Sequence, residues 1–308
     1  MTDYGHPITF GLSLYPSLDL VDDNTRLAQE ADEAGLDYIA IQDHAYNREF
    51  LDTWTLISYL AAETGRITFV PDVLDLQLRP PTIVAKAAAS LSVLSGGRIV
   101  LGVGGGASAD GIAAMGGPRR TPGEMIAFTE EALGVMRRAL RGGGVEFQSE
   151  QHAIEGYDAG PAPADPVPLW LGANGKRMLE VTGRSSDGWV SPLSVYVKPA
   201  DVPARQLTID EAARAAGRAP ADVRRIYNVV GMIGPRAGGS GLIGDVGSWV
   251  DTLTEWAVDL GFDTFIFWPN AAPHSQLATF AAEVVPAVRE RVSNGRATKP
   301  AAAALTEV

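Results

Sequence analysis

An acid and a histidine stand side by side at Asp43 and His44, directly after a short apolar run at residues 38–42. A histidine there can hydrogen-bond a cofactor, or can take or give a proton near neutral pH. The alternative is a histidine that only caps a loop. The chain has 4 histidines and no closely spaced histidine pair. We therefore predict an acid–base role for His44 and no metal site.

Polar residues and glycines follow three further apolar runs. Glycine lets the backbone approach a flat ring or a phosphate closely, and free N–H groups at a helix start attract phosphate. Ordinary tight turns use the same residues, so both interpretations stay open. The residues concerned are Asp72 and Val73 after the third run, Gly104, Gly105 and Gly106 after the fourth, and Gly172, Ala173, Asn174 and Gly175 after the fifth, where a helix begins.

Three aromatic residues stand near the ends of other apolar runs. They are Tyr15, Trp189 and Trp268. Such side chains could form walls for a planar ring in a pocket, and they could also fill the core.

The elements that must position these residues alternate between strand and helix. Short, continuous apolar runs are typical of strands buried on both faces, and eight strand–helix units favour a closed (β/α)₈ barrel. Ligands of such barrels meet the loops at the carboxyl ends of the strands, where all the candidates stand. The predicted strands cover residues 8–14, 38–42, 66–74, 98–103, 167–171, 188–190, 225–232 and 263–267.

The remaining segments are predicted to lack regular structure. Residues 142–166 are rich in glycine and proline and are predicted to form a loop. Residues 234–247 are glycine-rich and are predicted to be a mobile lid or a plain linker. We expect a single domain over residues 1–292 and a flexible tail over 293–308.

Composition narrows the function classes. The chain has 308 residues, 46% of them hydrophobic, no cysteine and a net charge of −12. The lack of a basic run argues against nucleic acid, and no apolar run is long enough to span a membrane. No secretion signal is evident, and Gly-x-Ser-x-Gly is missing. We expect a cytoplasmic enzyme that acts on a small molecule.

Three blocks carry a resemblance to a known family. They are residues 31–67 with AGLDYIAIQDH and DTWTLISYLAAETGRI, residues 78–106 with LRPPTIVAKAAASLSVLSGGRIVLGVGGG, and residues 168–189 with PLWLGANGKRMLEVTGRSSDGW. Over residues 10–290 the chain resembles the luciferase-like flavin and deazaflavin oxidoreductases. The resemblance implies a TIM barrel with an insertion, often a homodimer, and a flavin-type ring held at the strand ends. It also implies a bulge in the third strand, with a cis peptide at Asp72–Val73 that supports the ring.

The Asp43–His44 pair resembles the branch that uses coenzyme F420. That resemblance implies hydride exchange between the deazaflavin and a small organic substrate, with His44 carrying the proton. The alternatives are an FMN-dependent monooxygenase that uses O2 and reduced flavin from a separate reductase, and a non-catalytic flavin-binding barrel. Arg48 and Ala107 depart from the sugar-phosphate dehydrogenases of this branch and argue against their substrate. The predicted substrate pocket comprises Tyr15, Arg48, Trp189 and Trp268.

Overall fold

The computed structural model describes residues 3–235 and 240–297. The strands are β1 (Thr9–Leu14), β2 (Tyr38–Ile41), β3 (Thr68–Pro71), β4 (Leu74–Asp75), β5 (Leu101–Gly104), β6 (Gly143–Gln148), β7 (Ala153–Ala159), β8 (Leu169–Gly172), β9 (Gly188–Ser191), β10 (Arg224–Ile233), β11 (Leu242–Gly244) and β12 (Thr264–Pro269). The α-helices are α1 (Val21–Glu33), α2 (Thr53–Ala62), α3 (Pro81–Ser95), α4 (Ala109–Ala114), α5 (Pro122–Leu140), α6 (Lys176–Ser185), α7 (Val202–Ala215), α8 (Val246–Val258), α9 (Pro273–Thr279) and α10 (Val285–Ala297). A π-helical turn, Phe280–Val284, joins the last two helices.

The main sheet is parallel throughout and closes on itself. Its strand order is β3-β2-β1-β12-β10-β9-β8-β5-β4, with β11 paired to β10. A parallel bridge between Phe69 and Ile99 joins the two ends of this order, and the amide of Val100 donates to the carbonyl of Phe69 at 2.9 Å. Because β3 and β4 share one position, the barrel has eight positions, and the predicted (β/α)₈ architecture is confirmed.

Strand alternation divides the core into two layers. In β1, Phe10, Leu12 and Leu14 pack outward against the helices, as part of the large core cluster. A smaller cluster fills the barrel interior with about one residue from each strand position. Its members are Ala40, Val70, Val100, Trp170, Val190, Ile226 and Ile266.

Capping residues fix where several helices begin and end. The carboxylate of Asp52 accepts from the amide of Thr55 at the start of α2. Thr121 and Glu124 form a capping box at the start of α5, as their spacing predicts. Gly96 ends α3 in the left-handed conformation, which glycine adopts without steric cost.

The prediction of a loop at residues 142–166 is wrong in part, because this segment contains the antiparallel hairpin of β6 and β7. Val145 of this hairpin is buried in the core, and Phe147 contacts His152. Glycines and prolines at the ends of the segment hide this short pattern from sequence-based prediction. Helix α4 is a further element that the sequence pattern does not predict.

Two other predicted segments are described in part. Residues 242–244 of the predicted lid form β11, and residues 236–239 lie outside the described residues. Helix α10 continues to Ala297, so the first five residues of the predicted tail are helical, while residues 298–308 lie outside the description. Across residues 3–235 and 240–297, no helix is both long and apolar enough to cross a membrane.

Candidate active site

A cavity of about 400 Å³ opens at the carboxyl ends of the barrel strands. Such a volume lies in the range of small-molecule sites. Most residues singled out from the sequence line it together, although they are spread over 225 positions of the chain. They are Asp43, His44, Asp72, Val73, Gly104, Gly105, Gly106, Gly172, Ala173, Asn174 and Trp268.

Trp189 was predicted to line the substrate pocket, and this prediction is wrong. The side chain is 0% exposed, donates from its indole Nε1 to the carbonyl of Ala173 and stacks on Phe262. Strand alternation turns residue 189 outward, toward the helices, whereas its neighbour Val190 faces the barrel interior.

Three other predicted residues lie outside the lining of this cavity. Tyr15 is half-exposed, packs edge-on against Phe50 and lines a neighbouring cavity. Arg48 is exposed in the loop after β2, because the chain turns away from the barrel there. Gly175 is the N-cap of α6 and lies one residue beyond the lining.

A bulge between β3 and β4 forms part of the cavity wall. The Asp72–Val73 peptide bond is cis, as the family resemblance implied. A Cβ on Gly104 would lie 2.6 Å from Cγ2 of Val73, and one on Gly172 would lie 2.8 Å from the same atom. These two glycines therefore make room for the Val73 side chain, a role that the sequence pattern does not reveal.

Asp72 places a carboxyl group beside the bulge. Its Oδ1 accepts from Nδ2 of Asn228 at 3.2 Å, while its buried Oδ2 has no hydrogen-bond partner among the described residues. Burial raises the pKa of Asp72 to about 7, against the opposing hydrogen bond from Asn228. Trp268 in turn donates from Nε1 to Oδ1 of Asn228 at 2.9 Å. The chain Trp268–Asn228–Asp72 thus holds a carboxyl group that keeps its proton to a higher pH than an exposed aspartate does.

Asp43 connects the segment that carries His44 to β4 and to Arg79. Its side chain is buried, accepts from the backbone amide of Asp75 at 2.9 Å and lies 3.3 Å from Nη1 of Arg79. Burial raises the pKa of Asp43, and the Arg79 guanidinium works against that rise. Arg79 also pairs with Asp52 at the start of α2. The acid of the Asp–His pair therefore ties β4 to the loop that carries the histidine.

His44 is held by a neighbouring tyrosine. Its Nδ1 lies 2.8 Å from the hydroxyl of Tyr46, whose ring packs against Gly111 of α4. The bond to Nδ1 sets the orientation of the imidazole ring. His44 lines the cavity, and its Nε2 makes no hydrogen bond within the part of the chain that the structure describes. That nitrogen can exchange a proton with a ligand.

The start of α6 offers backbone donors near the cavity. Gly175 caps the helix without a side-chain hydrogen bond, so the first N–H groups of the helix are available to an anion. Asn174, which lines the cavity, accepts from Arg205 through its Oδ1 at 3.0 Å. This edge therefore offers backbone donors to an anionic group.

Sequence reasoning missed Asn228, Tyr46 and Arg79. Asn228 had a visible signal, because it is a polar residue within the apolar run of β10. Tyr46 and Arg79 lie in irregular segments and act through other residues, so no local pattern marks them. Among the described residues, no cluster of three or more histidine, aspartate or glutamate side chains could hold a metal ion.

The chain is similar to proteins of a known family. The family model for luciferase-like monooxygenases matches residues 4–237. The chain is 32% identical over 216 residues to 5,10-methylenetetrahydromethanopterin reductase of Methanolobus tindarius, a match covering 70% of this chain and 63% of the relative. It is 29% identical over 223 residues to an F420-dependent glucose-6-phosphate dehydrogenase of Intrasporangium calvum, covering 68% and 64%. The matches therefore span slightly less than two thirds of these curated relatives.

The fold is similar to that of an F420-dependent secondary alcohol dehydrogenase solved with an F420-acetone adduct. The TM-score is 0.80 at 17% identity, covering 92% of this chain and 99% of the other. At that identity the likeness concerns the fold alone. With the family model matched over most of the barrel, the chain belongs to the luciferase-like monooxygenase family.

Proposed function

We propose that this protein is an oxidoreductase that exchanges a hydride between coenzyme F420 and a small organic substrate. The observation that carries the proposal is the position of His44, which is oriented by Tyr46 and lines a cavity next to the Val73 bulge. One curated relative is an F420-dependent dehydrogenase, which supports the choice of cofactor.

The residues of the cavity fit a deazaflavin. Val73 would support the ring, with Gly104 and Gly172 giving Val73 its place, and the start of α6 would hold an anionic tail. When bound, the deazaflavin supplies a two-electron hydride acceptor or donor. His44 would hold or give the accompanying proton at Nε2. The buried Oδ2 of Asp72, which has no hydrogen-bond partner among the described residues, marks an unsatisfied polar group in this region.

The second candidate is a monooxygenase that uses reduced FMN and O2. The description of the matched family favours it. The Asp43–His44 pair, typical of the F420 branch, favours the deazaflavin. Where the cofactor acts as the reductant, a separate reductase would supply it in the reduced form. We also propose that the protein acts in the cytoplasm.

Direct binding separates the two candidates. The purified protein is titrated with F420 and, separately, with FMN, each in its oxidised and reduced form, and binding is followed through cofactor fluorescence. We expect F420 to bind far more tightly than FMN. Micromolar binding of FMN without binding of F420 would replace our choice with the monooxygenase.

The role of His44 separates an enzyme from a non-catalytic flavin-binding barrel. Replacing His44 by alanine is expected to abolish turnover while cofactor affinity is kept. If the wild-type protein binds the cofactor and turns over no member of a broad substrate panel, the binding role is favoured. Elemental analysis of the purified protein for zinc and manganese tests the prediction that it has no metal site.

We also propose that the protein is a homodimer, with the groove between α2 and α3 in its interface. Trp54, Leu91 and Leu94 line this groove, and Leu94 is 83% exposed. An exposed apolar surface of this kind is typical of an interface. Light scattering after size-exclusion chromatography tests the proposal: Leu94→Arg should yield a monomer from a wild-type dimer, and a monomeric wild type would overturn it.

A further inference from the structure

One side of the active-site cavity is formed by a turn that carries none of the residues assigned to the cofactor. This turn spans residues 192–197 after β9, and Pro192, Leu193 and Tyr196 line the cavity. The strand order places β9 three positions around the eight-position barrel from β3 and β4, which flank the Val73 bulge. The turn therefore lies on the other side of the cavity from the bulge.

Hydrogen bonds to β10 fix this turn in place. The amide of Ser194 donates to the carbonyl of Asn228 at 2.8 Å. The hydroxyl of Tyr227 donates to the carbonyl of Val197 at 2.6 Å, and the side chain of Val197 is fully buried. Tyr196 lies between these two anchored residues, so the turn presents a fixed wall to the cavity.

The surface of this wall suits an apolar body. Tyr196 lines the cavity and yet is 72% exposed, and Leu193 beside it is partly exposed. Covering exposed aromatic and aliphatic side chains with an apolar ligand removes their surface from water, which is favourable. Pro192 has no N–H group to donate. The wall thus offers apolar contact and no charge.

The charges of the cavity disfavour an ionic substrate. Among the described residues that line it, none is lysine or arginine. An anion would therefore lose its hydration without meeting either kind of cation. The lining acids are Asp43, Asp72 and Asp75. Their carboxyl groups already hold hydrogen bonds or an ion pair with protein groups, so they offer a cation no open partner.

We propose that Leu193 and Tyr196 determine substrate specificity, and that the substrate is a small neutral molecule whose apolar body packs against them. His44 and the Val73 bulge line the same cavity, so no wall separates a substrate held there from His44 or from the place proposed for the deazaflavin. This inference rests on the proposed function for the meaning of the cavity, and it names the substrate class for that function.

Saturation-transfer NMR on the full chain tests the proposal with three probes of matched shape: cyclohexanol, cyclohexanecarboxylate and cyclohexylammonium. We expect saturable binding of the alcohol, with and without an excess of F420, and no binding of the two ions. Tyr196→Ala and Leu193→Ala each remove apolar contact area. Each should raise the Kd of the alcohol by about 3- to 10-fold and leave the affinity for F420 unchanged.

A charge added to the wall should change which probe binds. Leu193→Lys is expected to bind the carboxylate, and to bind the alcohol more weakly than the wild type does. Leu207→Lys is the matched control, because Leu207 is an exposed leucine on α7 outside the cavity, and it should behave like the wild type. Tyr196→Lys covers the case in which the Leu193 variants do not fold, because the Tyr196 side chain is mostly exposed.

The proposal is overturned if either ion binds the wild type as tightly as the alcohol, if the alcohol does not bind, or if F420 displaces it. It is also overturned if the Tyr196 variants bind all three probes like the wild type. Titration with F420 in the same samples separates the two claims. Alcohol binding that depends on Tyr196, without F420 binding, would refute the cofactor alone. F420 binding without alcohol binding would refute the substrate class alone.

Discussion

Val73 occupies the space that a side chain at Gly104 would need. A Cβ on Gly104 would lie 2.6 Å from Cγ2 of Val73 but 3.7 Å from its Cβ, which is ordinary contact. The bulge after β3 and the glycine at the end of β5 therefore depend on each other through a single methyl group. This dependence makes the placement of the bulge testable.

Gly104→Ala should destabilise the protein by about 1–3 kcal/mol, because the new methyl group overlaps the Val73 side chain. It should also weaken cofactor binding by displacing the bulge. The double variant Gly104→Ala/Val73→Ala removes the overlapping methyl group and should recover most of the lost stability. Urea denaturation measures both variants. Equal losses in the single and double variants would show that the overlap with Val73 is not the cause.

The raised pKa of Asp72 predicts that the stability of the protein depends on pH. Because burial raises the pKa of this acid to about 7, the native state holds the proton more tightly than the unfolded state. The stability from this group is fully present below the unfolded value near 4, and it is lost as pH rises to about 7. Asp72→Asn removes the loss, so it should be more stable than wild type at pH 8 by about 1–3 kcal/mol and nearly equal at pH 4. Urea denaturation of both proteins at pH 4 and pH 8 measures this difference in stability. A difference that is the same at the two pH values would contradict the raised pKa of Asp72.

Tyr46 should act through His44. Tyr46→Phe removes the hydrogen bond to Nδ1 but keeps the ring against Gly111. Losing one hydrogen bond that orients the imidazole should lower kcat by about 3- to 10-fold while cofactor affinity stays the same. The pH profile of kcat and the ¹⁵N shifts of the His44 ring report its orientation and tautomer. Unchanged ¹⁵N shifts in the variant would contradict the positioning role.

His274 links α9 to α1 through two carboxylates. Its Nδ1 lies 2.7 Å from Glu30 and its Nε2 lies 3.0 Å from Asp23, and these hydrogen bonds raise its pKa. The stability they contribute is fully present below pH 6.5 and is lost as pH rises through the raised value. Solvent screens this partly exposed group, so the His274→Gln variant should lose less than about 1 kcal/mol at pH 5.5. Thermal unfolding at pH 5.5 and 9 tests this, and an effect that grows with pH would contradict it.

The apolar runs, and the turn and helix signals between them, were enough to predict the barrel. They were also enough to predict that ligands bind at the carboxyl ends of its strands. His44, Gly104 and Asn174 could be located because each follows a strand in the sequence. Trp189 could not be excluded, since its direction depends on the exact register of a four-residue strand. Asn228 gains its role from contacts with Asp72 and Trp268, which lie elsewhere in the chain, and Val73 depends on two glycines that only the folded barrel brings beside it.

The most direct test of the central claim is a crystal structure of the protein grown with F420. We predict electron density for the ring in the cavity between Val73 and His44, with Nε2 of His44 within hydrogen-bonding distance of the ring or of a bound substrate analogue. We also predict density for the anionic tail at the start of α6. A ring bound at any other place, or an empty cavity at F420 concentrations that saturate the protein in solution, would contradict the assignment of this site.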